Sequence, residues 1–326
     1  MTIASVLQTL LITFPFFALV LCGYLAAHRR MLPLEAIPGL NSFVLFFALP
    51  CMLYRFGSTM PLGQLLDVAV LFTWSLAALI TVALTIALSR NQRIGWNDAS
   101  FGALVAAFPN TGFMGVPLLV ALLGPGAAGP VISTMLIDMV VTSSLCIALS
   151  RLDGADEHGV GKAAAKALKG AATNPLPWSI LLGALASASS LELPRPALQT
   201  LGLLADAASP VALFTIGAVL ARSHLLAARN QHAPPPARDY VPVAGIKLFL
   251  HPLLVLMLGT AAAALGLPLS KFALTVMVLA AALPSASNVS LLAERFGADN
   301  GRIARIILLS TASAFLTFSL VVTLLI

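Results

Sequence analysis

Ten stretches of about 20 consecutive, mostly apolar residues constrain what this chain can fold into. A helix of about 20 apolar residues crosses the hydrocarbon layer of a bilayer, where lipid cannot satisfy backbone groups left outside a helix or closed barrel. Only 9% of the residues are charged, against roughly 25% in soluble domains. The chain is therefore predicted to be an all-α polytopic membrane protein with ten transmembrane helices. The predicted spans are 5–27, 34–54, 65–88, 100–123, 129–150, 173–190, 199–221, 241–265, 271–294 and 303–325.

The 18 lysine and arginine residues are distributed unevenly between the two sides of these spans. Only Arg55, Arg195 and Lys271 lie in loops on one side. Because basic loops stay in the cytoplasm, both termini are predicted to lie outside the cytoplasm of a cell membrane. The net charge of +6 thus reflects topology, and no basic-aromatic patch indicates a nucleic-acid partner. The basic loops are 28–33, 89–99, 151–172, 222–240 and 295–305.

A polar segment at 151–172 divides the chain into two halves, 1–150 and 173–326. Each half holds five predicted spans, and an odd number means that the halves insert with opposite orientations. The sequence AAFPN in the fourth span matches AALPS in the ninth. Inverted repeats with interrupted helices at corresponding positions are typical of secondary transporters, whose substrate sites lie at the interruptions.

Two prolines and two glycines predict that the fourth span is interrupted. Pro109 and Pro117 lack an N–H, and their rings clash with the carbonyl four residues back. With Gly112 and Gly115 between them, the stretch 109–117 is not expected to remain a continuous helix. Freed backbone groups at this depth must face protein or water. The half-helix after the break would point its positive N-terminal end into a polar cavity, which favours an anion such as a carboxylate.

In the ninth span, Pro284 begins a matching disruption, and short polar residues follow it. The polar residues at both breaks are candidate substrate ligands. They could also serve only to satisfy backbone groups that the breaks release, and the sequence leaves both roles open. The candidates are Asn110, Thr111, Gly112, Ser285, Ser287 and Asn288.

Three ionisable residues lie inside predicted spans, where a charge is costly and usually faces an interior pathway. Asp138 lies in the middle of the fifth span. Lys247 and His251 are four residues apart in the eighth span and thus share one helix face. Asp138 and Lys247 could form a structural ion pair. Alternatively, one of them carries a coupling proton, or Lys247 balances the charge of the substrate. For His251, packing in the interior is the simpler interpretation.

Sequence signatures of catalysis and of nucleotide or metal binding are missing. No GxxxxGK[ST], HExxH or GxSxG is present. The three cysteines, Cys22, Cys51 and Cys146, are scattered through apolar segments, as is usual for small core residues. The chain is therefore predicted not to be an enzyme and to need no cofactor or metal.

At the two interrupted spans the chain resembles the auxin efflux carrier superfamily, and bacterial, malonate-transporter-like members in particular. FPNTGFMGVPLL at 108–119 is similar to the fourth-helix motif of that family. ALPSASNVSLLAERFGADN at 282–300 is similar to its ninth-helix segment, and SPVALFTIGAVLA at 209–221 agrees with its seventh. A departure occurs at Val289, where plant members have a second proline, and this argues against plant-like auxin specificity.

The resemblance implies two inverted five-helix repeats whose fourth and ninth helices cross at their breaks. It implies a scaffold of spans 1, 2, 6 and 7 and a moving transport unit of spans 3–5 and 8–10. It also implies an organic anion held at the crossing by Asn110 and Asn288.

These observations favour a secondary transporter for a small organic anion, such as malonate or an auxin-like acid, working by alternating access. A sodium- or proton-coupled cation antiporter with Asp138 as its ion-binding carboxylate is the second hypothesis. A membrane receptor that binds a ligand without transporting it is the third. Besides the substrate and the lipid bilayer, a second copy of the chain in a homodimer is a conceivable partner.

Overall fold

The computed structural model of the chain describes residues 3–59, 67–152, 175–189, 191, 193–229 and 235–326. All regular secondary structure longer than a single bridge in these ranges is helical. The one isolated β-bridge in these ranges joins Pro109 to Ser285. The helices, in chain order, are α1 (Ile3–His28), α2 (Ile37–Thr59), α3 (Val68–Ser89), α4 (Trp96–Ala107), α5 (Thr111–Leu123), α6 (Pro125–Leu149), α7 (Pro175–Ala188), α8 (Arg195–Arg229), α9 (Val241–Ala264), α10 (Lys271–Ala282), α11 (Val289–Arg295) and α12 (Asn300–Leu325).

Six of these helices, α2, α3, α6, α8, α9 and α12, are long and apolar enough to cross a membrane. Each coincides with a predicted span. Shorter apolar helical segments lie in the other four predicted spans, at Thr13–His28, Thr111–Leu123, Pro175–Ala188 and Lys271–Ala282, so membrane crossing by those four stays a prediction. The predicted linker 151–172 lies almost entirely outside the described residues.

The half-helices α4 and α10 lie at the centre of the protein. Every residue from Ala99 to Ala107 in α4 and from Val276 to Ala282 in α10 is buried. Both stretches consist mainly of alanine and aliphatic residues, and a helix that is apolar on all sides is stable only when it is surrounded. The C-terminal ends of α4 and α10 are therefore enclosed by the other helices.

Both predicted interruptions exist, but their extents differ from the prediction. The first break is confined to 108–110, between α4 and α5, whereas the second extends over 283–288, between α10 and α11. The stretch 109–117 is not one continuous helix, as expected, but its non-helical part is shorter than predicted, because α5 begins at Thr111 and continues through Gly115 and Pro117. The two broken segments end similarly, at Gly124 (φ 86°) and Gly297 (φ 69°), which adopt a left-handed conformation that favours glycine.

Pro117 is accommodated by a local widening of α5. A π-helical turn covers Thr111–Gly115, so that Phe113, whose carbonyl Pro117 would otherwise meet, lies in the middle of the wider turn. The same arrangement recurs at Pro50, which follows the π turn Val44–Ala48, and at Pro252, which follows Ile246–Leu250. In each case the proline stands two residues after the turn, and the helix bends around it without ending.

Two helix crossings outside the centre depend on glycine. At the crossing of α1 and α8, a methyl group on Gly23 would overlap the carbonyl oxygen of Phe214, and one on Gly217 would overlap that of Val20. At the crossing of α2 and α7, a methyl group on Gly57 or Gly183 would also lie too close to a backbone carbonyl oxygen of the facing helix, that of Ile180 or of Tyr54. Small residues of this kind let membrane helices pack backbone to backbone.

Candidate functional site

The two breaks meet and complete each other's backbone hydrogen bonding. The amide of Asn110 donates to the carbonyl of Pro284 at 2.8 Å, and the amide of Ala286 donates to the carbonyl of Phe108 at 3.0 Å. A third donor, the amide of Ser285, bonds to Oγ of Ser310 on α12 at 3.2 Å. Backbone groups within each break are thus satisfied largely by the other break, as a buried chain requires.

The polar side chains at the crossing do not take part in this repair. Among the described residues, none forms a hydrogen bond with the side chain of Asn110, Thr111, Ser285, Ser287 or Asn288. The hydroxyl oxygens of Thr111 and Ser285 are buried, and Asn110 is only 2% exposed. Because buried polar groups nearly always have a partner, this concentration of unpaired groups is typical of a binding site.

The start of α5 adds backbone donors to the same place. The carbonyl of Asn110 accepts bonds from the amides of Met114 and Gly115 at 3.0 and 2.9 Å. Gly112 and Phe113 come before Met114 in the first turn of α5, and their amides have no acceptor within that helix. An N-terminal helix end with free N–H groups attracts negative charge.

The two glycines of α5 serve packing. The sulfur of Met135 lies 3.3 Å from where a methyl group on Gly112 would be, and Cδ1 of Leu283 lies 2.8 Å from that position on Gly115. Gly115 thus lets the second break approach α5 closely. Its predicted role as a helix breaker is replaced by this one, because the helix is continuous there.

Asp138 is held by α3 and by its own helix. The indole Nε1 of Trp74 donates to Oδ1 of Asp138 at 2.9 Å, and Oγ1 of Thr142 donates to the same oxygen at 3.2 Å. Asp138 also begins the π turn Asp138–Thr142, and Oγ of Ser143, the residue after that turn, donates to the Asp138 carbonyl. These neighbours supply N–H and O–H donors, whereas a hard cation needs several oxygen ligands. In the described part of the chain, no group of three His, Cys, Asp or Glu side chains could hold a metal ion.

Lys247 and His251 are fully buried and contact each other. Nζ of Lys247 donates to the carbonyl of Ala281, in the last turn of α10, at 2.6 Å and lies 3.3 Å from Nδ1 of His251. The imidazole ring packs edge-on against the indole of Trp74 at 5.3 Å. The direct ion pair between Asp138 and Lys247 that the sequence left open is not formed.

Three residues near these groups were not identified from the sequence. Trp74 and Ser310 look like ordinary interior residues of their spans, and no local pattern marks their partners. Arg302 was assigned to a basic loop, yet it is only 2% exposed. Its Nε donates to the carbonyl of Asp239 at 2.7 Å and its Nη1 to the carbonyl of Asp98, at the start of α4, at 2.8 Å. Arg302 therefore ties α12 to α4 and to the turn before α9.

Comparison with known proteins shows similarity to transporters along nearly the whole chain. The family model described as "Membrane transport protein" matches residues 9–322. Over 300 residues, 91% of this chain and 89% of the relative, the sequence is 29% identical to the "Putative malonate transporter" of Rhizobium meliloti (strain 1021). It is 26% identical over 293 residues, 86% of each chain, to the "Uncharacterized transporter YfdV" of Escherichia coli (strain K12). An "Uncharacterized transporter" of Methanothermobacter thermautotrophicus is 26% identical over 307 residues, 93% of each chain.

Proposed function

Because the chain belongs to the membrane transport protein family, also called the auxin efflux carrier family, we propose that it carries a small organic anion across the membrane by alternating access. The resemblance noted from the sequence is thereby confirmed, and the chain is a membrane transporter. The substrate class, the binding residues and the transport cycle are the proposal.

One observation carries the proposal. At the crossing, backbone groups bond to backbone groups and to Ser310, which leaves the side chains of Asn110 and Asn288 without a partner among the described residues. Two roles were open for these asparagines, substrate binding and backbone repair, and the second is filled by other groups. We assign to Asn110, Thr111, Ser285, Ser287 and Asn288 the binding of substrate.

The chemistry of these groups favours a carboxylate. Amides and hydroxyls donate hydrogen bonds, the N-terminal end of α5 contributes free N–H groups, and no acidic residue stands among them. Hydrogen bonds from such donors to an ionised acceptor are about twice as strong as neutral ones. The name of the Rhizobium relative supports malonate as the first compound to test.

We further propose that the fold is a pair of inverted five-helix repeats. The sequence at 108–110 aligns with that at 283–285, and each break contributes one backbone donor to the crossing, the amide of Asn110 in the first and that of Ala286 in the second. The glycine crossings support the same relation. The separation in sequence between Gly23 and Gly183 equals that between Gly57 and Gly217. In the proposal Gly23 is therefore equivalent to Gly183, and Gly57 to Gly217. The crossing of α1 with α8 and that of α7 with α2 are then built from equivalent residues.

These tightly packed crossings join the first, second, sixth and seventh predicted spans. In the proposal they form the scaffold, and the helices around the crossing, α3–α6 and α9–α12, form the transport unit that moves against it. Backbone-to-backbone packing at four glycines would keep the scaffold rigid during that movement.

Uptake of labelled carboxylates into proteoliposomes tests the proposal. We expect saturable malonate flux that Asn110→Ala lowers by about 10- to 100-fold, the loss corresponding to one hydrogen bond to a charged group. The control, Asn41→Ala on α2, should transport normally. No flux of any mono- or dicarboxylate, or equal flux in Asn110→Ala, would overturn it. Cation flux that needs no organic anion and disappears in Asp138→Asn would favour the antiporter instead.

A further inference from the structure

Lys247 occupies the position of a hydrogen-bond donor that α10 loses at its break. In an unbroken helix the amide of Ser285 would donate to the carbonyl of Ala281, four residues back. Here that amide bonds to Oγ of Ser310 at 3.2 Å, and Nζ of Lys247 donates to the Ala281 carbonyl at 2.6 Å. The broken bond is therefore replaced on both sides, by a hydroxyl for the donor and by an ammonium group for the acceptor.

From this exchange we propose that Lys247 is a positioning residue for the substrate site. It caps the C-terminal end of α10 through the Ala281 carbonyl and so holds Pro284 and Ser285 against the first break. The role rests on the proposed function, because the geometry it maintains is that of the proposed binding site. It differs from the roles suggested by the sequence, an ion pair with Asp138 and charge balance for the substrate.

The cap is energetically reasonable. The last carbonyls of a helix have no donor within the helix and carry a partial negative charge, which a lysine stabilises. At this depth no lipid group could bond to Ala281. Ala281 and Lys247 are both fully buried. Leaving the buried carbonyl of Ala281 unpaired would therefore be costly.

Neighbouring side chains hold Lys247 in this orientation. Nδ1 of His251, one turn further along α9, lies 3.3 Å from Nζ. His251 packs edge-on against Trp74, and Trp74 is fixed by its hydrogen bond to Asp138. A buried series of contacts thus runs from α6 through α3 and α9 to the end of α10. It orients the ammonium group towards Ala281, and Lys247 forms no ion pair with Asp138.

Hydrogen exchange of the substrate-free protein tests the cap without depending on transport. In Lys247→Met we expect exchange at 283–286, that is of the amides of Leu283, Ser285 and Ala286, to rise by about tenfold or more, because loss of a charge-assisted bond frees the end of α10. Exchange in α1 and α8 should not change. The matched control is Lys271→Met, which alters an exposed lysine at the start of α10, the helix whose end is capped. Unchanged exchange at 283–286 would overturn the proposal.

Two further variants keep the test decisive if Lys247→Met does not fold. Lys247→Gln retains an N–H donor on a side chain one bond shorter, so exchange at 283–286 should rise above that of the wild type, but by less than about tenfold. Ser310→Ala removes the acceptor for the Ser285 amide and should raise exchange at 283–286 with α12 intact. If neither variant alters exchange there, the pairing of Lys247 and Ser310 across the break is wrong.

Substrate kinetics then separate this inference from the proposed function. If wild-type protein transports a carboxylate, Lys247→Met should raise KM by about tenfold or more with a smaller effect on the maximal rate, since the binding geometry is disturbed. An unchanged KM contradicts the inference alone. Absence of carboxylate transport in the wild type contradicts the proposed function, and the exchange experiment still decides whether Lys247 caps α10.

Discussion

The amide of Asn110 donates to the carbonyl of Pro284 at 2.8 Å, so the two halves of the chain share a backbone hydrogen bond between their breaks. A side-chain substitution at Asn110 leaves this bond in place. The backbone and the side chain of one residue can therefore be tested separately, the first for stability and the second for binding.

Asn110→Pro removes the amide while keeping the backbone conformation, because the φ of −78° at Asn110 lies within the range of proline. We expect a destabilisation of about 1–3 kcal/mol, the cost of leaving the buried Pro284 carbonyl unpaired. Asn110→Ala should change stability by much less. Thermal unfolding in detergent measures both, and equal stability of the two variants would contradict the shared bond.

Gly217→Ala should prevent the close approach of α8 to α1. Its methyl group would overlap the carbonyl oxygen of Val20, and a helix backbone cannot move aside as a flexible side chain can. We expect loss of folded protein in membranes, measured as the monodisperse fraction after extraction. Gly202→Ala lies on the same helix with no atom within 4 Å and should fold normally. Gly183→Ala, at the equivalent crossing, should behave like Gly217→Ala.

Asp138 is expected to contribute to the stability of the folded protein mainly as the hydrogen-bond acceptor for the indole of Trp74. Asp138→Ala leaves the buried indole N–H without a partner, which should cost about 1–3 kcal/mol. Asp138→Asn retains a carbonyl oxygen and should be destabilised less. Thermal unfolding of the two variants checks this order. If Asp138→Asn is no more stable than Asp138→Ala, the hydrogen bond from Trp74 does not make this contribution.

Gly102→Ala should disturb the contact between α4 and Arg302. A methyl group at residue 102 would lie 2.8 Å from Nη1 of Arg302, which donates to the Asp98 carbonyl. Overpacking of a buried site costs about 1–3 kcal/mol, and a lower unfolding temperature is expected. Gly245→Ala on α9 has open space around it and serves as the control. Unaltered stability of Gly102→Ala would show that the guanidinium has room to move.

The predicted orientation can be tested with a membrane-impermeant thiol reagent. After replacement of Cys22, Cys51 and Cys146, a cysteine introduced at Arg195 should react in intact cells. One introduced at Arg29 should react only after permeabilisation, because basic loops remain in the cytoplasm. The opposite result would place both termini in the cytoplasm.

Much of the fold could be inferred from local properties of the sequence. The effects of span length, of low charge and of the missing N–H of proline do not depend on how distant parts of the chain pack. These local properties located the breaks at Pro109 and Pro284 correctly. The prediction for Pro117 was wrong because a helix has two responses to a proline. It can end, or it can widen to a π turn, and local sequence does not distinguish them.

The sequence by itself determined that this chain is a membrane protein with interrupted helices, because lipid cannot replace a hydrogen bond lost to proline. Only the tertiary structure decided which group replaces each lost bond. Pro284 receives the amide of Asn110 from the other half of the chain, and Ala281 receives Nζ of Lys247 from a different helix. A hydrogen bond forms only over about 3 Å, so its partner depends on how distant helices pack.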